Sequence, residues 1–397
     1  MLIPVVLAVA LMTAGMVAAS AVSTILIADE VSAGMAGLPN SAGVLGTAAG
    51  AVLVGRWTAR RGRASALRAG YLTAVAGGGL TVLASTSWPV GWLFVGMFFL
   101  GAGNAAALLS RYAAADAATP ARRAAAMSAV VWASTVGAVG GPFLLEPARE
   151  AAASFGLPPL SGAFLLTTAA AVAALLAAGR IRPVQLVVEG PLPPAEPRPT
   201  TRRTTVVTAA AVMLVGQLVM VALMTSVPVH AHHHGQGLGV LGVMLSAHTF
   251  GMFALSPVTG WWIDRAGPRP VMLAGLATIV VSAVVVAGPT GMTFTPALFL
   301  LGYGWNLCYL GGSALLGRVG ATTASGRARL ESTVEAWVWS LSAASTAAST
   351  WLFAEGGFPL LSTVGIGLAL PLLMVVASRR VVTTEQPRIE VAQQTCG

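Results

Sequence analysis

Apolar residues run along this chain in blocks of about twenty, each closed by glycine, proline or clustered arginine, without the sustained alternation of strands. Blocks long enough to cross about 30 Å of hydrocarbon as helices fall at 4–28, 39–58, 66–86, 91–114, 124–145 and 159–179. A second set falls at 205–228, 238–262, 270–288, 293–316, 329–352 and 358–378. The pattern predicts an all-α membrane protein with 12 transmembrane helices in two parallel six-helix bundles. The first block has no basic segment before it and is longer than the apolar core of a signal peptide, so it reads as a span. Between Pro183 and Pro199 lie six prolines, and with Arg182, Arg198, Arg202 and Arg203 they mark an extended, solvated linker. The predicted organisation is an N-terminal bundle over 1–179, a linker over 180–204, a C-terminal bundle over 205–380 and a polar tail over 381–397.

Of 397 residues, 56% are hydrophobic and 9% are charged, against about 25% charged in a soluble domain. That excludes an ordinary soluble enzyme, and no catalytic residue is assigned. The net charge of +9 and pI near 11.1 do not imply a nucleic-acid partner, because all 22 basic residues are arginines lying in loops or near the ends of the apolar blocks. Arg56, Arg60, Arg61, Arg63 and Arg68 separate spans two and three, and Arg111, Arg122 and Arg123 flank the turn from four to five. Arg180, Arg182, Arg198, Arg202 and Arg203 surround the linker; Arg265, Arg269, Arg318, Arg327 and Arg329 follow spans eight and ten; Arg379, Arg380 and Arg388 lie in the tail. Only Arg149 falls on the opposite side. By the positive-inside rule the arginine-rich face is cytoplasmic, with both termini there. Cys308 and Cys396 are too few for a disulfide framework.

The two halves repeat. Gly55-Arg56-Trp57-Thr58-Ala59-Arg60-Arg61-Gly62-Arg63 follows span two, and Gly260-Trp261-Trp262-Ile263-Asp264-Arg265-Ala266-Gly267-Pro268-Arg269 follows span eight. Phe99-Leu100-Gly101-Ala102-Gly103-Asn104 in span four is echoed by Leu300-Leu301-Gly302-Tyr303-Gly304-Trp305-Asn306 in span ten. Two such halves resemble the major facilitator superfamily, whose signature loop (Gly-x-x-x-Asp-Arg-x-Gly-Arg) the second copy matches most closely. The resemblance implies a transport cavity between the halves, gated near Asp264, Arg265 and Arg269. The first copy has Ala59 where the acid belongs. Asp116, Glu331 and Glu335 are the candidates to remake its ion pair, as structural partners of loop arginines or in proton coupling.

All five histidines fall within nineteen residues: His230, His232, His233 and His234 at the outer end of span seven, and His248 inside span eight. A helix beginning near 238 places His248 roughly 15 Å deep, about the midplane, where an ionisable side chain usually faces a cavity. Met244, His248 and Met252 share one helix face, as do Met220 and Met224 on span seven. Spans seven and eight are expected to be antiparallel neighbours. Thioether and imidazole suit a soft cation such as Cu(I); alternatively the methionines fill gaps, His248 bonds a helix neighbour, and the outer histidines are a solvated loop.

Met220-x-x-x-Met224 and His248-x-x-x-Met252 resemble the paired motifs of CcoA-type copper importers, major facilitator proteins of bacterial inner membranes that supply cbb3-type cytochrome c oxidase assembly. The resemblance implies Met220, Met224, His248 and Met252 as copper ligands; copper is the transported substrate and no cofactor is expected. The implied partners are copper, the lipid bilayer and periplasmic or cytoplasmic copper chaperones. Met244, His230, His232, His233 and His234 are accessory candidates from spacing alone. Relatives of that family resemble riboflavin importers and lack the motifs. Gly137-Ala138-Val139-Gly140-Gly141-Pro142 is similar in part to an element of drug/proton antiporters, and it fits close packing equally well. An organic solute would instead be held by Trp132, Trp305, Asn104 and Asn306.

Overall fold

The computed structural model describes residues 2–31, 37–181, 199–233, 238–288, 294–319 and 324–378. Among them there are no strands, and nine helices are long and apolar enough to cross a membrane. The N-terminal half comprises α1 (Leu2–Glu30), α2 (Leu38–Arg61), α3 (Arg63–Thr86), α4 (Trp92–Asp116), α5 (Arg123–Phe143), α6 (Leu145–Ser154) and α7 (Ser161–Gly179). The C-terminal half comprises α8 (Pro199–His233), α9 (Leu238–Phe253), α10 (Ser256–Ala266), α11 (Pro268–Ala287), α12 (Phe294–Arg318) and α13 (Ala324–Ser378).

Three elements depart from the twelve-block reading. Block 238–262 is two helices, α9 and α10, because Pro257 has no N–H to give the carbonyl of Phe253. The short helix α6 is polar and lies between spans five and six; its Glu146 carboxylate accepts hydrogen bonds from Arg149, which hold it below the usual carboxylate range. Blocks eleven and twelve run on as α13, turned at Gly357 where φ is 60°. Of the linker expected at 180–204, residues 182–198 lie outside the described residues, and α8 already starts at Pro199. The tail from 379 onward is likewise outside them.

Small residues set the packing. In the N-terminal half α4 packs against α2 and α3, and α1 against α5 and α7. Gly46 and Gly50 of α2 admit the backbone of α4, where a Cβ would overlap Phe98 and Ala102. Gly137 of the Gly/Pro patch lies against the α1 backbone at Ala10. That is a close-packing role for the segment that resembles an antiporter element. In the C-terminal half α12 is central, packed against α8, α9 and α11. One buried core fills the N-terminal half and runs on across the seam to Ile263, Val271, Leu307 and Leu310, and a second lies wholly within the C-terminal half.

The internal repeat is visible in the backbone. Both signature-like loops turn at a glycine with left-handed φ, 82° at Gly62 and 83° at Gly267, a conformation open to glycine at little cost. Each half also ends alike. Arg68 donates to the carbonyls of Ala178 and Gly179 in the last turn of α7 and of Ile181 just beyond it, and Arg269 donates to Val376 and Ala377 at the end of α13. Both place a cation on helix carbonyls that have no intrahelical donor.

Candidate functional site: a buried seam between the halves

The halves meet through α2 against α13 and α5 against α10. Gly55 sits so close to Ser332, and Gly260 to Ser128, that a Cβ at either glycine would overlap the facing serine. Both crossings lie near the arginine-rich face, so the described halves are closed there.

Charge ties each crossing. Arg63 of α3 bonds Asp116 at 2.9 Å and Glu331 at 2.9 Å, and Arg327 approaches Asp116 at 3.6 Å. At the second crossing, Asp264 accepts the N–H of Ala124 at 3.0 Å and that of Ala125 at 2.9 Å. These are donors of the first turn of α5, so the carboxylate from one half caps a helix of the other. Arg265 is exposed and lies over the Trp261 ring, 4.6 Å from its centroid. Of the predicted gating residues, the structure brings Asp116 and Glu331 together on Arg63, sets Asp264 on α5, and leaves Arg265 and Arg269 outside the seam.

Deeper in the seam Arg111 of α4 pairs with Glu335 of α13; the two residues are 1% and 0% exposed. The guanidinium also donates to Ser313 Oγ at 3.2 Å, Leu108 O at 2.6 Å and Tyr112 Oη at 3.0 Å. It lies over the rings of Tyr112 and Tyr309, 4.4 Å and 4.3 Å from their centroids. Glu335 also accepts from Tyr309 Oη at 3.1 Å and Trp339 Nε1 at 3.3 Å. Nearly every charged atom is thus paired, the condition for burying ions. The ring of Tyr309 stacks on Trp305 at 4.7 Å and 16°. Trp305 Nε1 donates to Gln217 Oε1 at 2.6 Å, and Gln217 Nε2 donates to Ser342 at 3.1 Å. A continuous polar and aromatic path therefore links α4, α8, α12 and α13.

Sequence reasoning placed Arg111 only as a topological charge and did not single out Gln217, Tyr309 or Trp339. A signal existed: Arg111 and Glu335 both fall inside predicted spans, and opposite charges at that depth find one another.

The sulfur and imidazole candidates lie elsewhere in the same half. Met220 is 6%, Met244 1% and His248 3% exposed, while Met224 and Met252 are half-buried. All four methionines belong to or pack on the C-terminal core. The expectation that spans seven and eight face each other is corrected: α12 packs against both α8 and α9 and stands between them. Sequence adjacency favours spatial adjacency, but Gly302 lets α12 press directly onto α9 at His248 and Met252. His248 Nδ1 donates to the carbonyl of Leu298 at 3.0 Å. Asn306 donates to Met252 O at 2.6 Å and Ser256 Oγ at 2.7 Å, and accepts from Thr259 at 2.8 Å. It stitches the break between α9 and α10, supplying a donor to a carbonyl that the interrupted helix leaves free. His230, His232 and His233 fall at the end of α8, but their side chains and all of His234 lie outside the described residues. Among described residues no group of three His, Cys, Asp or Glu could hold a metal. Asn104 is half-buried and Trp132 is 43% exposed.

Two helical halves, closed against each other by charges on one face, define a membrane transporter of the two-bundle type. Residues 5–328 match the Major Facilitator Superfamily, and the chain belongs to that family. It is 34% identical over 360 residues to the Uncharacterized MFS-type transporter YdeG of Bacillus subtilis (strain 168), covering 87% of this chain and 83% of that protein. It is 30% identical over 284 residues to the Riboflavin transporter RfnT of Brucella anthropi, covering 70% of each. Among solved structures it is similar to the human organic anion transporter MFSD10, with TM-score 0.73, 15% identity, and coverage of 94% of this chain and 98% of that one. A bacterial homologue of the iron transporter ferroportin in an outward-facing state gives TM-score 0.67 at 16% identity, covering 95% of this chain and 99% of that one. At those identities the likeness is one of fold.

Proposed function

We propose that this protein imports a flat, hydrogen-bonding organic solute of the riboflavin class across a bacterial inner membrane, with its arginine-rich face in the cytoplasm. The observation that carries this reading is the stacked Trp305–Tyr309 pair. Gln217 lies at one edge of the pair and Glu335 at the other. A planar ring system can part that stack and keep its contact area, while its polar edges take over hydrogen bonds from Gln217 and Tyr309. The 30% identity to a riboflavin transporter supports the same class. Transport then follows from alternation: the solute loosens the Arg111–Glu335 cluster, the crossings at Gly55 and Gly260 part, and the arginine-rich face opens. In a riboflavin auxotroph carrying this protein as its sole importer, growth should depend on added riboflavin. Trp305→Ala should cut initial uptake about tenfold or more, the scale of a lost aromatic contact. Equal uptake by cells with and without the protein would refute the reading.

A second reading, copper import for cbb3-type oxidase assembly, rests on one specific observation. The bond from His248 Nδ1 to Leu298 O fixes the tautomer and leaves Nε2 the basic nitrogen, the arrangement typical of metal-ligating imidazoles. Met220, Met224, Met244 and Met252 are the soft donors of the same core. This reading requires copper accumulation that falls with His248→Ala and with Met252→Ala. Copper accumulation indifferent to both substitutions would remove it, whatever the riboflavin result.

A further inference from the structure

Arg56 and Arg60, one helical turn apart on α2, line two cavities at once. One cavity, of ≈ 430 Å³, lies at the junction of the halves, where Arg329, Ser332 and Thr333 of α13 complete the lining. The other, of ≈ 510 Å³, runs along α2 and α3 between walls formed by Gly50, Leu53, Val54, Ala69, Gly70 and Thr73. Trp57 and Arg61 join the two arginines at its mouth. From Gly50 to Arg60 is ten helical steps, about 15 Å, half the thickness of a hydrocarbon core and so one leaflet deep.

The other seam arginines are engaged: Arg63 by Asp116 and Glu331, Arg111 by Glu335, Arg68 by helix carbonyls. Among the described residues no carboxylate lines either cavity. Arg56, Arg60 and Arg329 therefore bring like charge to the junction of α2 with α13, where it opposes closure. Trp57, 41% exposed, donates from Nε1 to Ser65 at 3.1 Å with Arg61 over its ring, as an aromatic side chain at a headgroup boundary does. The wall residue Leu53 is 62% exposed. An apolar cleft one leaflet deep, with guanidinium groups at its mouth and no carboxylate among its described lining residues, matches an acyl chain that ends in a phosphodiester.

We propose that the α2–α3 cleft binds one anionic glycerophospholipid from the leaflet at the arginine-rich face. Its acyl chain lies along Leu53, Val54 and Thr73, its phosphodiester rests against Arg56 and Arg60, and its charge favours the form closed on that face.

Native mass spectrometry of the purified chain, equilibrated with equal amounts of phosphatidylglycerol and phosphatidylcholine, tests this directly. The wild type and Arg149→Gln, a change on the opposite face, should each retain one phosphatidylglycerol in preference to phosphatidylcholine. Arg56→Gln/Arg60→Gln should lower that retention about tenfold or more, as expected for two basic residues at an anionic headgroup. Thr73→Trp, which fills the cleft and leaves the arginines intact, should lower it as well. The two arginines are exposed, so the double variant should keep the wild-type elution profile. Equal retention of the two lipids, or retention unchanged in the double variant, would overturn the proposal. So would full displacement of the lipid by millimolar inorganic phosphate, which would show a headgroup-only anion site.

Discussion

The two crossings that close the arginine-rich face are built on the same backbone and carry inverted chemistry. At each, a glycine of one half faces a serine of the other, Gly55 on Ser332 and Gly260 on Ser128, and a left-handed glycine turns the chain seven residues later. In the second crossing the loop carries the acid, Asp264, with the guanidinium of Arg318 near enough to attract it. In the first the loop carries the base, Arg63, and the acids stand off the loop, Asp116 at the end of α4 in the same half and Glu331 on α13 of the other. The reason lies in where the facing helix begins. Helix α5 starts at Arg123, so the N–H groups of Ala124 and Ala125 are free for Asp264. The equivalent positions in α13, Ala328 and Arg329, stand more than a turn inside a helix that begins at Ala324. Their N–H groups are already committed, so an acid at position 59 has no terminus to cap. A signature motif is thus a response to a helix end as well as a charge.

The largest effect is expected away from either loop. Glu335→Ala strands the Arg111 guanidinium in a fully buried site and should cost about 3–5 kcal/mol, whereas a Met/Leu pair replacing Arg111 and Glu335 together should recover much of that. Thermal or denaturant unfolding in detergent reads both; a single substitution as stable as the wild type would mean that the cluster is hydrated or already open. A smaller loss is expected at the second crossing. Asp264→Ala removes the cap on α5 and should cost about 1 kcal/mol, measured the same way. Smallest is Ala59→Asp, which restores the signature acid to the first loop. It should change stability by no more than about 0.5 kcal/mol, and a gain of a kilocalorie or more would break the helix-end explanation.

Much of the architecture was legible in the sequence, because apolar blocks, arginine clusters and repeated glycines are local signals. The hinge glycines Gly62 and Gly267, and the missing acid at Ala59, could be read off the chain. The partners could not. Asp264 bonds backbone N–H groups, which leave no mark in side-chain identity, and Arg111 finds Glu335 across 224 residues. The break in span eight had a visible cause in Pro257, but an apolar run on both sides of it suggests continuity. For the sulfur and imidazole cluster, periodicity put Met244, His248 and Met252 on one face, expected to meet a cavity, and in the structure Met244 and His248 are buried; local pattern carried no sign that α12 packs against both their helix and that of Met220 and Met224.

The buried Arg111–Glu335 cluster holds the halves shut on the arginine-rich face. Spin labels at exposed positions on opposite sides of the seam, Arg61→Cys on α2 and Thr333→Cys on α13 in a chain lacking Cys308 and Cys396, report the separation by electron–electron double resonance. One short distance is expected in the otherwise native background, and a second, longer population once Glu335→Ala is added. The same single distance in both would contradict it.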